Sequence, residues 1–267
     1  MSEQQRFFSR TGVYLWLAAV FGAICILPYA LALAPESIED ASQKLGVSTA
    51  VVYALSIIQS ALLLGLMTFA GLWAAGKLGL GAPLFEALAH RRELPDGIHQ
   101  IGVRAIALGV AAALLILGLD YWVFSAALAS LEIDAQFNIA AWKGFLASFY
   151  GGITEEIQLR LFLLSFVALG VRYVVRLTSG SRRGISLTTG VFWSANLIAA
   201  IIFGLGHLPA TAELVALTPL VIVRAIVLNG AVGLVAGYLF WRRGIEMAML
   251  CHFSADIVLH VLVPLLS

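Results

Sequence analysis

The chain has 267 residues, of which 61% are hydrophobic and only 12% charged, and its mean hydropathy is +0.97. That balance excludes an ordinary soluble domain, which is roughly half apolar and a quarter charged, and it excludes a disordered chain, whose charge and polar content would be far higher. A formal net charge of +1 excludes a nucleic-acid binder that works through a basic face.

The bilayer is the remaining solvent. At about 20 apolar residues per crossing, apolar windows fall at about 12–34, 49–76, 101–130, 139–171, 185–206, 212–241 and 245–266. The first is longer than a signal-peptide core, and no small-residue cleavage site follows it. Between the second and third, Lys77 to Gln100 carries Pro83, His90, Arg91, Arg92, Pro95, His99 and other polar residues, and reads as an interfacial helix plus turn with both histidines solvated. Asp120, near the end of the third window, reads as an interfacial tether, while Arg104 and Arg224 are placed as snorkelling side chains. A linker from Val171 to Gly184 follows the fourth window and carries Arg172, Arg176, Arg182 and Arg183. The 212–241 window is too long for one straight crossing and contains Pro219, so it reads as a short surface or re-entrant helix followed by a span ending at Trp241. Cys25 and Cys251 lie in apolar stretches without metal-ligand spacing and read as small fillers.

The fold class is therefore all-α: a polytopic transmembrane helix bundle of about seven spans, with eight as the alternative, plus one or two interfacial or re-entrant helices. The basic residues Arg6, Arg10, Lys77, Arg91, Arg92, Arg172, Arg176, Arg182, Arg183, Arg242 and Arg243 fall in alternate loops, which predicts a cytoplasmic N-terminus and an outside C-terminus. An eighth span would put Arg242 and Arg243 outside.

Three windows hold polar groups where charge is costly. In the fourth, Gly151-Gly152-Ile153-Thr154-Glu155-Glu156-Ile157-Gln158-Leu159-Arg160 sits mid-span. Glu156 and Arg160 are four apart and face each other on a helix, whereas Glu155 is turned away and has no partner on its own helix. In the fifth, Phe203 and His207 share a face, and Gly204 and Gly206 leave the backbone accessible. In the last, His252, Asp256 and His260 form one stripe that must face the bundle interior or a wet cavity. Counting about 1.5 Å per residue from the assigned cytoplasmic edges puts His252 nearer the cytoplasm than His207, so the spans must tilt, break or differ in length if these groups meet.

The ordered set Glu155-Glu156-x-x-x-Arg160, Phe203-x-x-x-His207 and His252-x-x-x-Asp256, with Phe203-Gly-Leu-Gly-His-Leu-Pro209 and Gly237-Tyr-Leu-Phe-Trp-Arg-Arg-Gly-Ile-Glu246, resembles the CPBP family of intramembrane endopeptidases. That family includes the type II CAAX prenyl endopeptidases and the bacteriocin-processing and immunity (Abi) proteins. The resemblance covers about residues 140–260. It implies two parts of one integrated membrane domain: N-terminal spans and the basic interfacial loop over 1–138, and a catalytic helical core over 139–267. It further implies that Glu155 with His207 activates water, that His252 and Asp256 stabilise the oxyanion, that Glu156 and Arg160 brace the site, and that Phe203 lies against substrate.

The position of Asp256 is commonly Asn in the prenyl-protein enzymes. An ionised carboxylate cannot donate to an oxyanion, so Asp256 is either protonated or orients His252. The implied partners are the lipid bilayer and a membrane-anchored peptide or protein, prenylated or not, with no nucleic acid; the implied location is the plasma membrane of a bacterial or archaeal-type cell. The family has been described both as metalloproteases and as glutamate-dependent proteases. Glu155, His207 and His252 would make a zinc site with an open position for water, though no His-Glu-x-x-His is present. Two other classes fit the polar groups less closely: a catalytically silent immunity or binding protein that retains the pocket, and a proton-coupled transporter, which lacks support from repeat symmetry.

Overall fold

A computed structural model describes residues 3–125, 139–178 and 188–266. Among the described residues there is no strand, and seven helices are long and apolar enough to cross a membrane: Arg10–Leu33, Thr49–Leu78, Ile98–Phe124, Ala141–Thr178, Thr189–Ala212, Pro219–Arg243 and Ile245–Leu266, here spans 1 to 7. The protein is an integral, multi-pass, all-α membrane protein. Large apolar side chains face outward, among them Leu62, Leu66 and Leu115, as lipid-facing surface requires.

The boundaries follow local chemistry. Span 1 breaks at Ile26, where Pro28 removes a donor, into Glu3–Cys25 and Leu27–Leu33. Spans 2, 5 and 6 each begin on a side-chain cap, from Ser48, Thr188 and Thr218 in turn. The expected interfacial helix is Pro83–His90. A second short helix outside the spans is Ser37–Leu45, and Leu208–Ala212 is the short terminal helix of span 5 beyond His207.

Several sequence expectations shift. The short helix placed inside the 212–241 window instead precedes it at Leu208–Ala212, and Pro219 opens span 6 at the first helical turn, where proline is tolerated. Arg172 and Arg176, assigned to a linker, extend span 4 as the end of the helix Ser165–Thr178. Arg224 does not snorkel alone: its Nε and Nη2 donate to both oxygens of Asp120 at 2.6 Å, tying spans 3 and 6. His90 is half-buried rather than solvated, whereas His99 is exposed. Arg182, Arg183 and the outer ends of the third and fifth windows lie outside the described residues.

Long-range contacts assign the two faces of the bundle. At one face, Arg172 donates to the Lys77 carbonyl, and Glu246 at the start of span 7 holds the helix Pro83–His90. The Asp120–Arg224 pair lies at the opposite face. One apolar cluster joins Leu15, Leu64, Leu161, Phe192, Phe240 and Ile245 from spans 1, 2, 4, 5, 6 and 7; a second joins Ala113 and Ile116 to Leu228 and Ala255 from spans 3, 6 and 7.

Glycines set the closest helix approaches, as small residues do between membrane helices. A Cβ on Gly71 would lie 2.8 Å from the Leu161 carbonyl oxygen, and one on Gly109 would meet the Cys251 carbonyl at 2.1 Å. Gly71→Leu is therefore expected to destabilise the protein by about 1–3 kcal/mol, the usual cost of overpacking. Gly76→Leu, where a Cβ meets nothing within 4 Å, serves as the near-neutral control. Melting in detergent checks both.

Candidate active site

Span 4 carries the carboxylates on an unusual backbone. After Ala141–Phe149 the helix widens into π turns over Tyr150–Glu155 and again over Ile157–Leu164, before resuming as α-helix at Ser165. Gly151 and Gly152, weak α-formers, sit in the first widened segment. Their missing side chains also create clearance: a Cβ on Gly151 would lie 2.1 Å from Asp256 Oδ2 and 3.4 Å from His252 Nε2, and one on Gly152 would lie 2.7 Å from Phe253 Cβ. Span 7 thus presses its polar stripe directly onto span 4.

Glu156 is the centre of the contact. Its side chain has no exposed surface; Oε1 accepts from His252 Nδ1 at 2.7 Å and stands 2.9 Å from Arg160 Nη1, and the Arg160 side chain is 2% exposed. A carboxylate can only accept, so His252 Nδ1 carries the proton of that bond, and the ring presents Nε2 to the opposite side. There Nε2 lies 3.9 Å from Glu155 Oε2 and 3.6 Å from Asp256 Oδ1. Glu155 is the more open carboxylate, at 17% side-chain exposure. His260 continues the stripe 4.0 Å from Asp256, at 42% exposure and edge-on to Tyr29.

Phe203 joins the histidines of spans 5 and 7. Its ring lies edge-on to His207 at 4.7 Å and to His252 at 5.4 Å between centroids, with the Arg160 guanidinium carbon 4.9 Å above it. The depth mismatch counted along the sequence is thus bridged by one aromatic ring. Phe203 is 3% exposed and packed among these three groups. His207 is half-buried, with Nδ1 2.9 Å from the Phe203 carbonyl oxygen, which leaves Nε2 as its free nitrogen. The sequence paired Glu155 with His207; the histidine within ion-pair distance of Glu155 is His252.

Among the described residues no three His, Cys, Asp or Glu groups, Glu155, His207 and His252 included, converge as metal ligands would. The bond to Glu156 takes His252 Nδ1 and leaves Nε2 as its other ring nitrogen.

Two residues were not singled out from sequence. Gly151 was visible only as half of a Gly-Gly pair ahead of the carboxylates. Thr154, whose hydroxyl donates to the Ala19 carbonyl at 2.8 Å, ties this segment to span 1; a polar residue one position before two glutamates carried no separate signal.

Removing one partner of a buried pair strands the other, at a typical cost of about 3–5 kcal/mol. Arg160→Met alone is expected to destabilise on that scale, and Glu156→Leu combined with Arg160→Met by less than the sum of the two single changes. A thermal-melting double-mutant cycle in detergent reads both outcomes.

Residues 137–258 match the family described as Type II CAAX prenyl endopeptidase Rce1-like. No curated protein and no solved structure matches the chain. The matched region takes in every carboxylate and histidine of the cluster on spans 4, 5 and 7 other than His260, and the match supports a CPBP-family membrane protease.

Proposed function

We propose that the chain is an intramembrane endopeptidase that hydrolyses a peptide bond near the C-terminus of a membrane-anchored protein or peptide, CAAX-type prenylated or otherwise lipid-proximal. The observation that carries this reading is the division of labour between adjacent glutamates: Glu156 is fully buried between Arg160 and His252, while Glu155 keeps 17% of its side chain open beside His252 Nε2. A structural ion pair alone accounts for Glu156 but leaves Glu155 and Asp256 without a purpose.

Peptide hydrolysis needs an activated water, a donor for the oxyanion and a proton for the leaving amine. Glu155 takes a proton from a water held between its carboxylate and His207 Nε2, and the water oxygen adds to the scissile carbonyl carbon. The oxyanion that forms faces His252, whose Nε2–H is the donor and whose ring is fixed by the Glu156 bond. Collapse breaks the C–N bond as Glu155 returns its proton to the departing nitrogen. Asp256, 3.6 Å from Nε2, orients that ring. Phe203 acts through the two histidines it separates, as a positioning residue.

The basic ends of spans 2, 4 and 6 favour a cytoplasmic N-terminus. In cells, a cysteine placed at His99 is expected to label only from the cytoplasm and one at Lys44 only from outside; both positions are exposed.

The catalytic assignment is tested with purified protein in nanodiscs and a panel of prenylated and unprenylated peptides. Glu155→Ala, His207→Ala and His252→Ala should each lower kcat by roughly 100-fold or more, the range of general acid–base and oxyanion contributions. Cleavage by all three variants at the parental rate would refute the catalytic roles of these residues. Elemental analysis of the active preparation, with and without chelator, separates glutamate-dependent from metal-dependent hydrolysis.

A further inference from the structure

Span 7 carries His252 and Asp256, yet it is joined to span 6 only through Gly244, whose φ of +97° is a conformation suited to glycine. The apolar contacts along span 7 are non-directional and do not by themselves fix its position along its own axis. A directional contact occurs at its first turn. Glu246 is 8% exposed, and its Oε1 accepts from the backbone N–H groups of Leu84 at 2.7 Å and Phe85 at 2.9 Å, 162 and 161 positions away.

These are two of the donors that the helix Pro83–His90 leaves free at its N-terminus, and that helix lacks a side-chain cap on Ala82. The Ile245 N–H donates to the Gly81 carbonyl at 3.1 Å, and a Cβ on Gly244 would lie 2.4 Å from Pro83 Cδ. The start of span 7 and the start of the surface helix therefore form one clamped unit. Burying a carboxylate is costly unless charge-assisted donors compensate it, and the helix N-terminus supplies them.

We propose that Glu246 is a positioning residue for the reaction: it locks span 7 onto the helix Pro83–His90 and so sets the depth at which His252 and Asp256 meet Glu155 and Glu156. His252 lies six residues along the same helix, about 9 Å away, so Glu246 acts through the helix and not by touching substrate. The proposal rests on the peptidase reading. Displacement of a reacting group by about 1 Å can cost roughly 100-fold in rate, which makes kcat the sensitive readout.

Glu246→Ala in the full-length protein should lower kcat by about 10- to 100-fold with KM changed less than about twofold. Glu246→Gln, whose amide oxygen can accept the same two N–H groups, should recover most of that loss. A second readout is independent of activity. Cys251 has no exposed surface and sits one residue before His252, so in a Cys25→Ser background Glu246→Ala should speed its labelling by N-ethylmaleimide, while Glu246→Gln should not.

Parental kcat and parental labelling in a folded Glu246→Ala protein would overturn the positioning role, as would equal impairment by Ala and Gln. If the parent cleaves and Glu155→Ala does not, such a result counts against Glu246 alone. If the parent cleaves no peptide, the peptidase reading fails, and the positioning role falls with it.

Discussion

The polar cluster depends on one carboxylate with no exposed surface. Glu156 is neutralised from two directions, by Arg160 on its own helix and by His252 from span 7, and both interactions converge on Oε1. Because the second partner comes from a different span, the pair of helices has one register in which Oε1 meets both partners, while the buried Oε2 makes no hydrogen bond. The glycine clearances follow from that requirement: Gly151 lets Asp256 approach, and Gly233 stands where a Cβ would be 3.2 Å from Arg160 Nη2. Burying the brace is also what leaves Glu155, its neighbour in sequence, facing the other side of the same histidine.

The widened helix of span 4 is the backbone counterpart of this arrangement. Successive π turns from Tyr150 to Leu164 re-aim the side chains around the two glutamates without breaking the span, which hydrocarbon would not tolerate. Spans 1 and 2, which contain no polar motif, support the same stretch from behind. Thr154 is held by the Ala19 carbonyl, and the Leu161 carbonyl packs onto Gly71. The motif-bearing region is therefore walled in by a part of the chain that carries no motif.

The spans were legible in the residues, because apolar runs bounded by caps and charges are strong signals, and so was the Glu156–Arg160 pair, because spacing of four is local geometry. The same local spacing put His252 and Asp256 on one face. What depends on the relative placement of helices was not legible. Arg224 looked like a snorkelling cation until Asp120, 104 positions away, met it. Phe203, read on its own helix beside His207, gave no sign that Arg160 of span 4 and His252 of span 7 would also pack against its ring. Glu246 belonged to a recognisable stretch, but its partners are backbone groups, which leave no residue-type signature.

The two partners of Glu156 also become available at different times during synthesis. Arg160 lies one turn ahead in the same helix, so that pair can form as soon as span 4 is helical, and the span can partition into the bilayer with its charges already matched. His252 follows some 96 positions later. Until span 7 arrives, the membrane holds a partly assembled bundle whose fourth helix is tolerated but whose buried carboxylate lacks its second partner, so the polar cluster of spans 4, 5 and 7 closes only at the last stage of insertion.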